Sequence, residues 1–524
     1  MNGDPVKKTS ISTSVTRRKF LSSTALLATT SMLPCEILAQ GAARGDGALE
    51  AKLAKDPMRP QFHLLPEANW MNDPNGPIYF NGQYHMFCQY NPHAAVWGDM
   101  SWYHSISPDM IHWTHLPIAF TPTPGGPDAY GCFSGSAIAL GNRVYVVYTG
   151  TVESTPDKAT IRDGENKIQE SQCLAWSDDP NLIHWTKDPK PIVPLPPEGM
   201  KITGFRDPSA WRQGDWYYMT VGSGVAKVGG CVLLYRSKDM KSWEYMHPIA
   251  SGAWNGKQTS NPCDDGEMWE CPELFALDGG HVLICSTEGS VFWQSGKLDS
   301  ETMLFHPTKT GLLDLGDFYA PKSQLDASGQ RMLWGWIPER RPEAVYKAAG
   351  WAGMMSLPRV LRLDRNGTLR MQILPTFATL RSSVPLPPAS SGNRTEFILQ
   401  RASGEVLYSA PRRTEAFEFV MQNSSDGSEL LRIAYEPAKH AFLADGKEIA
   451  LGPEDAPELH VFVDGSVIEV IVSQRAGYTR RFYSSQRVAP DVSVRIVGGT
   501  QITANAWRID PISNNRLTVS SASA

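Results

Sequence analysis

A short phrase that recurs three times along the chain constrains its fold more than any other feature. Segments 107–113, 177–185 and 237–243 each begin with Ser, carry Asp two residues later and end in Trp. Self-similarity at intervals of tens of residues is typical of repeat architectures such as β-propellers, in which each repeat is one small sheet. The recurrence therefore predicts a repeated antiparallel unit rather than one large β-sandwich.

Five short runs rich in aromatic and β-branched residues lie around these phrases, and each is bounded by turn-forming residues. Their spacing of roughly 50 to 70 residues suits one four-stranded sheet each. We therefore predict an all-β protein with a five-bladed β-propeller over residues 58–365. The runs are Gln83–Tyr90, Arg143–Tyr148, Asp215–Val221, His281–Ser286 and Arg331–Trp336.

The character of the sequence changes after Arg362. Residues 382–393 are rich in Ser and Pro, as in a linker, and residues 460–472 alternate apolar and polar side chains around an Asp-Gly turn. This pattern predicts a C-terminal β-sandwich over residues 383–515. Two domains also agree with the length of 524 residues, because single cores stop growing at roughly 250 to 300 residues.

The first residues have the pattern of an export signal. Arg17 and Arg18 precede an apolar run from Leu21 to Leu33, which a stretch of small residues follows. The pattern resembles a twin-arginine signal, so we expect residues 1–43 to be removed and the mature protein to be periplasmic or secreted. The apolar run is shorter than the ~20 residues that span a bilayer, which argues against a stable membrane anchor.

Charge and cysteine usage exclude several classes of function. The net charge of -5 comes without a basic stripe, so nucleic acid is not an expected partner. The seven cysteines after the signal are odd in number and lack the CxxC spacing of a zinc site, which predicts buried free thiols. The histidines show no metal-binding spacing either, so we expect no metal and no cofactor.

Three acidic residues lie in segments that carry chemistry. Asp73 lies between an amide and a Pro-Asn-Gly turn, Asp207 follows Arg206, and Glu270 is flanked by Trp and Cys. A neighbouring guanidinium keeps a carboxylate ionised, whereas poorly solvated surroundings raise the pKa of a carboxyl group towards that of a general acid. Taken alone, the segment around Asp73 also suits a surface turn, that around Asp207 a structural ion pair, and that around Glu270 a strand edge. The prediction of a catalytic site therefore depends on all three occurring together.

Together, and in this order, the three segments resemble glycoside hydrolase family 32, the family of the invertases, levanases and inulinases. The resemblance covers nearly the whole chain after the signal. It implies a retaining glycosidase that cleaves β-fructofuranosyl linkages in sucrose or fructans through a fructosyl-enzyme intermediate. Retaining enzymes hold two carboxyl groups about 5 to 5.5 Å apart. Four further segments support the resemblance: Phe133–Ser136, Asp317–Pro321, Gly350–Gly353 and Ser356–Arg359.

The resemblance also implies a role for each acid. Asp73 is expected to attack the anomeric carbon of fructose, and Glu270 to protonate the leaving oxygen and then activate water. Asp207 is expected to bind fructose hydroxyls and stabilise the transition state, and Cys271 to tune Glu270. The residues expected around the fructosyl ring and its acids are Asn72, Gln89, Trp97, Phe133, Ser134, Arg206 and Tyr319.

One residue departs from the family pattern, since Tyr103 stands where members usually have Gly. We expect its ring either to narrow the funnel or to contact a second sugar at the leaving-group subsite. Three alternatives remain: a fructosyltransferase with the same site, an inverting arabinan-degrading propeller, and a non-catalytic fructan-binding propeller. The three intact acids argue against the non-catalytic propeller, and the segments around Asp73 and Glu270 argue against the arabinan group. Hydrolysis is the commoner activity of exported members of the family, although the sequence does not settle hydrolysis against transfer. The motifs leave open sucrose against levan or inulin, exo against endo attack, and the oligomeric state.

Overall fold

The computed structural model describes residues 47–410, 413–484, 488–499, 503–517 and 520–521. These residues are mostly β, with two short α-helices, α1 (Gly47–Leu53) and α2 (Glu343–Ala349), and two 3-10 turns, at Pro375–Leu380 and Gln400–Ala402. The all-β prediction is confirmed. The predicted signal at residues 1–43 lies outside the described residues. Within the described part of the chain, no helix is long and apolar enough to cross a bilayer.

The first twenty-two strands lie between residues 69 and 373 and form five small sheets. They are β1 (Asn69–Phe80), β2 (Gln83–Asn91), β3 (Ser101–Ser107), β4 (Thr114–Phe120), β5 (Gly131–Leu140), β6 (Arg143–Glu153), β7 (Ile168–Ser177), β8 (Thr186–Lys187), β9 (Ile202–Gln213), β10 (Trp216–Val225), β11 (Gly229–Ser237), β12 (Trp243–Ser251), β13 (Glu270–Leu277), β14 (Gly280–Thr287), β15 (Ser290–Leu298), β16 (Phe305–Asp314), β17 (Tyr319–Leu325), β18 (Arg331–Ile337), β19 (Trp351–Ala352), β20 (Met354–Met355), β21 (Arg359–Leu363) and β22 (Leu369–Ile373).

Four of the five sheets begin with a meander of four consecutive antiparallel strands, which are β1–β4, β5–β8, β9–β12 and β13–β16. The fifth contains β17, β18, β21 and β22, with β20 paired to β18. The first strands of the sheets contact one another in the order β1, β5, β9, β13, β17 and back to β1. This arrangement is propeller-like. Each of the five runs predicted from the sequence coincides with the second strand of its sheet.

The recurring Ser-x-Asp phrase forms the corner between the third and fourth strands of three sheets. In the first corner, Asp109 accepts hydrogen bonds from the backbone N–H groups of Ile111 and His112, at 2.9 and 2.8 Å. Such side-chain-to-backbone bonds replace the partners that the chain loses where it reverses direction. A fourth corner, between β15 and β16, uses Asp299 in the same way but ends in Phe305. The sequence comparison missed it because Trp is absent.

The first strand of every sheet carries a β-bulge at the same point. The pairing with the second strand shifts register after Met71, Cys132, Arg206, Glu270 and Tyr319. Bulges re-aim side chains and are common beside active sites. The three predicted acids lie at three of these five bulges.

The remaining thirteen strands lie between residues 389 and 521. Most form a seven-stranded sheet in the order β23-β24-β33-β26-β27-β28-β29 and a five-stranded extension of the fourth sheet, β32-β31-β30-β25-β34, joined through β16. They are β23 (Ala389–Ser391), β24 (Arg394–Leu399), β25 (Ser403–Ser409), β26 (Phe417–Asn423), β27 (Glu429–Glu436), β28 (Ala441–Ala444), β29 (Lys447–Ala450), β30 (Glu458–Asp464), β31 (Val467–Val472), β32 (Ala476–Arg481), β33 (Val492–Gly498), β34 (Thr503–Trp507) and β35 (Ser520–Ser521).

Both C-terminal layers contribute to one hydrophobic core. Phe419 and Ile433 from the seven-stranded sheet belong to the same cluster of buried side chains as Val461 and Val470 from the extension. Alternate residues of each strand face this core, as the period of two requires.

A buried polar network joins the β30–β31 hairpin to the segment before β1. Asp464 accepts hydrogen bonds from the backbone N–H groups of Gln61, Phe62 and His63, and its Oδ2 lies 2.8 Å from His63 Nδ1. The other ring nitrogen of His63 lies 3.0 Å from Glu469. Burial lowers the pKa of His63, but the two carboxylates outweigh it and raise the pKa to about 9. These contacts hold the C-terminal hairpin against the propeller-like region.

Candidate active site

The three predicted acids converge where the bulged first strands meet. Asp73 lies on β1, Asp207 on β9 and Glu270 at the start of β13. Ligand-type atoms of Asp73, Asp207 and Cys271 all lie within 4.8 Å of one another. All four side chains are buried. Acids that lie 63 to 197 residues apart in sequence thus form one cluster.

Asp73 is held by three side-chain donors. Asn72 Nδ2 donates to Asp73 Oδ1 at 3.1 Å, while Ser134 Oγ donates to Oδ2 at 2.5 Å. Gln89 Nε2 lies 3.5 Å from the same oxygen and also donates to the Ser134 hydroxyl. Hydrogen bonds to the ionised form favour it and fix its orientation. The arrangement therefore presents Asp73 as an oriented carboxylate.

Glu270 has a different environment, because it contacts both a cation and a phenol. Arg206 donates to Glu270 Oε1 through Nε at 2.9 Å and through Nη2 at 2.7 Å. The Tyr319 hydroxyl donates to the other oxygen, Oε2, at 2.9 Å. Burial, followed by the charge of Glu270, raises the pKa of Tyr319 well above its usual range, so the phenol remains a donor. Both carboxyl oxygens of Glu270 are consequently fixed in place.

Asp207 is fixed by the backbone of the neighbouring sheet. The N–H of Cys271 donates to Asp207 Oδ2 at 2.9 Å, and the N–H of Asp207 donates to the Thr149 hydroxyl at 2.9 Å. Burial raises the pKa of Asp207 to about 6 against the opposing charge of Arg206, and Glu270 and Asp73 act in the same direction as burial. Asp207 is also in the left-handed backbone region, with φ of 64°. Such a conformation costs a non-glycine residue about 1 to 3 kcal/mol, which the surrounding hydrogen bonds offset.

The thiol of Cys271 faces the two aspartates. Its Sγ lies 3.6 Å from Asp73 Oδ2 and 3.5 Å from Asp207 Oδ2. Burial, then the charges of Asp207 and Asp73, raise the pKa of this thiol well above its usual range. A protonated thiol is a poor nucleophile and a weak donor. The thiol therefore contacts Asp73 and Asp207 directly, and the prediction that Cys271 tunes Glu270 stays a prediction.

Asp73, Asp207 and Cys271 are also the group that comes closest to metal-ligand geometry among the residues that the structure describes. Their atoms already take part in hydrogen bonds, since Ser134 donates to Asp73 and the Cys271 N–H donates to Asp207. Metal binding requires a deprotonated sulfur, which the raised pKa of Cys271 opposes. The donor set suits hydroxyl-rich ligands better than a cation.

An apolar wall lies beside the acids. The rings of Trp97 and Phe133 meet edge to face with centroids 5.8 Å apart, and both belong to a cluster with Trp70 and Tyr346. Trp70 Nε1 donates to Asn72 Oδ1 at 2.9 Å, which links this wall to the Asp73 hydrogen bonds. Aromatic faces beside carboxylates suit the apolar and polar sides of a sugar ring. The structure thus brings all ten predicted site residues into one region.

Tyr103 lies elsewhere, and the expectation that it narrows the funnel is wrong. Its ring packs against Tyr90 at 4.8 Å and against His115 at 5.3 Å, within a hydrophobic core between sheets. The alternation of side chains along β3 points this residue away from the acids.

Sequence reasoning missed Glu170, a fully buried carboxylate on β7. Arg206 Nη1 donates to its Oε1 at 3.0 Å. Glu170 is flanked by the polar residues Gln169 and Ser171, and no motif connects it with Arg206. The seven cysteines outside the predicted signal are all buried free thiols, as predicted.

Comparisons with known proteins agree with this geometry. The family model for the glycosyl hydrolases family 32 N-terminal domain matches residues 63–372, and the model for the family 32 C-terminal domain matches residues 368–508. A sucrose-6-phosphate hydrolase from Escherichia coli is 34% identical over 450 residues, which cover 79% of this chain and 87% of the relative.

Solved structures show the same similarity. A family 32 β-fructofuranosidase from Bombyx mori is 27% identical, with a TM-score of 0.75 over 89% of this chain and 97% of that chain. Fructan 1-exohydrolase IIa from Cichorium intybus is 26% identical, with a TM-score of 0.71 over 87% and 98%. The two family models together span most of the sequence, and the acidic cluster lies within the first of them. The chain is therefore a glycosidase that belongs to glycosyl hydrolases family 32.

Proposed function

We propose that this protein is an exported, retaining β-fructofuranosidase that hydrolyses sucrose or fructans such as levan and inulin. The observation that carries the proposal is the contrast between two acids of one cluster. Asp73 is surrounded by neutral donors, Asn72 and Ser134, whereas Glu270 is fixed by Arg206 and the Tyr319 phenol. Two carboxyl groups in different environments are what acid and nucleophile roles require.

In the first chemical step, an Asp73 carboxylate oxygen forms a bond to the anomeric carbon of the fructosyl unit. The bond from that carbon to the leaving oxygen breaks, and Glu270 transfers its proton to this oxygen. In the second step, the Glu270 carboxylate takes a proton from water, whose oxygen attacks the anomeric carbon and releases Asp73. The fructose leaves with the configuration it had in the substrate, since each step inverts it once.

Asp207 is proposed to accept hydrogen bonds from fructose hydroxyl groups. The Cys271 N–H donates to Asp207, and the Asp207 carboxylate lies beside that of Asp73, which belongs to another strand. Hydrogen bonds to such a carboxylate strengthen as positive charge develops on the ring, which stabilises the transition state. The wall of Trp97 and Phe133 is proposed to contact the apolar side of the same ring.

The names of the relatives support this substrate class. The silkworm relative is called a β-fructofuranosidase and a mutant of it is solved in complex with sucrose, while the chicory relative is a fructan exohydrolase and a variant is solved with 1-kestose. We propose that the present chain accepts the same terminal fructosyl unit. The twin-arginine pattern at residues 17–18 supports the proposal that it meets this substrate outside the cytoplasm.

We also propose that the five sheets are the five blades of one propeller and that the two C-terminal layers form a β-sandwich. The cyclic order of the first strands supports the first statement, and the core shared by the two C-terminal layers supports the second.

The test is a product profile by anion-exchange chromatography. Purified mature protein and its Glu270→Gln variant are incubated with sucrose, inulin and levan. Free fructose from the wild type, with little from the variant, is the expected result. No product from any of the three substrates would refute the proposal.

Retention is tested separately by adding methanol as the acceptor. Nuclear magnetic resonance then identifies the anomer of the methyl fructofuranoside formed. The β anomer is expected, because two inversions restore the original configuration. The α anomer, or methanolysis that never competes with water, would contradict the fructosyl-enzyme intermediate.

A further inference from the structure

Glu170 is a fully buried acid that the proposed reaction does not use directly. It lies on β7, in the sheet next to the one that carries Arg206. Its carboxylate accepts three hydrogen bonds: from Arg206 Nη1 at 3.0 Å, from the Phe205 N–H at 2.6 Å and from the Thr160 hydroxyl at 3.0 Å. The three donors fix this buried carboxylate in one orientation.

Arg206 connects this acid with Glu270. One side of the guanidinium, Nε and Nη2, donates to Glu270, and the remaining nitrogen, Nη1, donates to Glu170. Arg206 is itself buried, with its side chain 5% exposed, so its charge needs a partner at all times. Two carboxylates therefore share one guanidinium.

The reaction makes this sharing necessary. Glu270 acts as an acid in the first step, so it must carry a proton while it contacts a cation. A guanidinium whose only partner was Glu270 would hold that carboxyl in its ionised form. The ion pair with Glu170 gives Arg206 a second carboxylate partner, so Glu270 can be protonated and deprotonated in each cycle.

Glu170 also fixes the backbone that presents Arg206. It accepts the N–H of Phe205, while Gln172 on the same strand donates to the Phe205 carbonyl at 2.9 Å. Both contacts lie directly before the bulge that contains Asp207. Both the N–H and the carbonyl group of Phe205, the residue immediately before Arg206, are thus hydrogen-bonded to side chains of β7.

We propose that Glu170 is a positioning residue for this reaction: it holds the Arg206 guanidinium in place and balances its positive charge while Glu270 is protonated. This rests on the proposed function of Glu270 as the acid. Glu170 itself touches no reacting atom, and its effect passes through Arg206.

The experiment measures kcat/KM against pH for the wild type and Glu170→Gln. The amide keeps the size of the side chain and one acceptor oxygen but removes the charge. The alkaline limb of the profile is expected to move to lower pH, by on the order of one unit, since Glu270 now loses its proton more readily. The variant should consequently lose about tenfold more activity on the alkaline side than on the acidic side.

Two further variants separate charge from structure. Glu170→Asp keeps the charge, so its alkaline limb should stay close to that of the wild type even if kcat falls. Asp128→Asn removes another fully buried acid, whose ion pair is with Lys187, and should change thermal stability without moving either limb. If Glu170→Gln does not fold, Thr160→Val replaces it. Loss of the Thr160 hydroxyl removes one of the three hydrogen bonds that hold the Glu170 carboxylate beside Arg206. The alkaline limb should then shift in the same direction, but by a smaller amount than in Glu170→Gln.

A folded Glu170→Gln variant with an unshifted alkaline limb would overturn the proposal, and so would an equal loss of activity at every pH. The wild type distinguishes this failure from failure of the proposed function. If the wild type has no activity, the proposed function is wrong. If the wild type is active and the alkaline limb of Glu170→Gln does not move, only the role proposed for Glu170 is wrong.

Discussion

Replacing Ser134 by Ala tests the hydrogen bonds around Asp73. The Ser134 hydroxyl donates to Asp73 Oδ2 at 2.5 Å and also accepts from Gln89. A hydrogen bond to a charged group contributes about 1.5 to 3 kcal/mol. If most of this energy stabilises the ionised, correctly oriented carboxylate, kcat/KM falls by roughly 10-fold to 150-fold, since each 1.36 kcal/mol is a factor of ten.

The same change should alter the pH dependence in one direction. In the wild type, the hydrogen bond from Ser134 favours the ionised form of Asp73. Without this bond, Asp73 should be protonated more easily in the variant. The acidic limb of the kcat/KM profile is therefore expected to move to higher pH, while the alkaline limb, assigned to Glu270, stays in place. Initial rates of fructose release from sucrose at a series of pH values measure both quantities.

The matched control is Ser136→Ala, on the same strand. The Ser136 hydroxyl accepts the N–H of Ala210 at 2.9 Å and has no role in the acidic cluster. This variant should keep the kcat/KM of the wild type within about threefold, the size of a weak neutral hydrogen bond. If folded Ser134→Ala were as active as Ser136→Ala, the argument that neutral donors prepare Asp73 for attack would be wrong.

Three further predictions concern the acids and the buried network. Asp207→Asn should lower kcat by on the order of 10² to 10³ with little change in the melting temperature, because it removes the charge that faces the transition state; steady-state kinetics with a thermal melt checks this, and a kcat near that of the wild type would contradict it. Tyr319→Phe removes the phenol that donates to Glu270 at 2.9 Å, so kcat/KM should fall by roughly tenfold; an unchanged value would show that Arg206 alone fixes Glu270. The raised pKa of His63, about 9 in the folded protein against an ordinary 6.5, implies stability that is fully present below about pH 6.5 and lost as the pH rises through 9. This contribution is about 3 kcal/mol at most, and melting temperatures from pH 6 to 10 should fall for the wild type but less steeply for His63→Gln.

The elements that the sequence predicted well are those whose signal is local. The Ser-x-Asp corner is recognisable because Asp109 bonds to N–H groups two and three residues ahead, which fixes the spacing in the sequence itself. The second strands are recognisable because their runs are rich in aromatic and β-branched residues, and β2 is buried along nearly its whole length. The acids were predicted because each occurs in a short motif around a bulge.

What the sequence did not predict depends on partners from distant segments. Glu170 contacts Arg206, which is 36 residues away, and a buried acid carries no mark of the guanidinium it will meet. The direction of Cys271 follows from its place within the β13 bulge, where a left-handed backbone with φ of 49° turns the thiol towards Asp73. Tyr103 was misplaced because its face of β3 depends on a register that the motif alone does not give.

The equivalent bulges explain how one scaffold gives the two acids different surroundings. The last residue paired before each bulge is Met71, Cys132, Arg206, Glu270 and Tyr319 in turn, and the first bulged residue is Asn72, Phe133, Asp207, Cys271 and Ala320.

Glu270 and its partners Arg206 and Tyr319 all occupy the last paired position before their bulges. Asp73 lies two residues further along its strand, level with its donor Ser134. This offset gives the two acids different partners. A bulge in β13 shifted by one residue would move Glu270 out of register with Arg206 and Tyr319, so the register of that strand, as well as the identity of its acid, determines the chemistry.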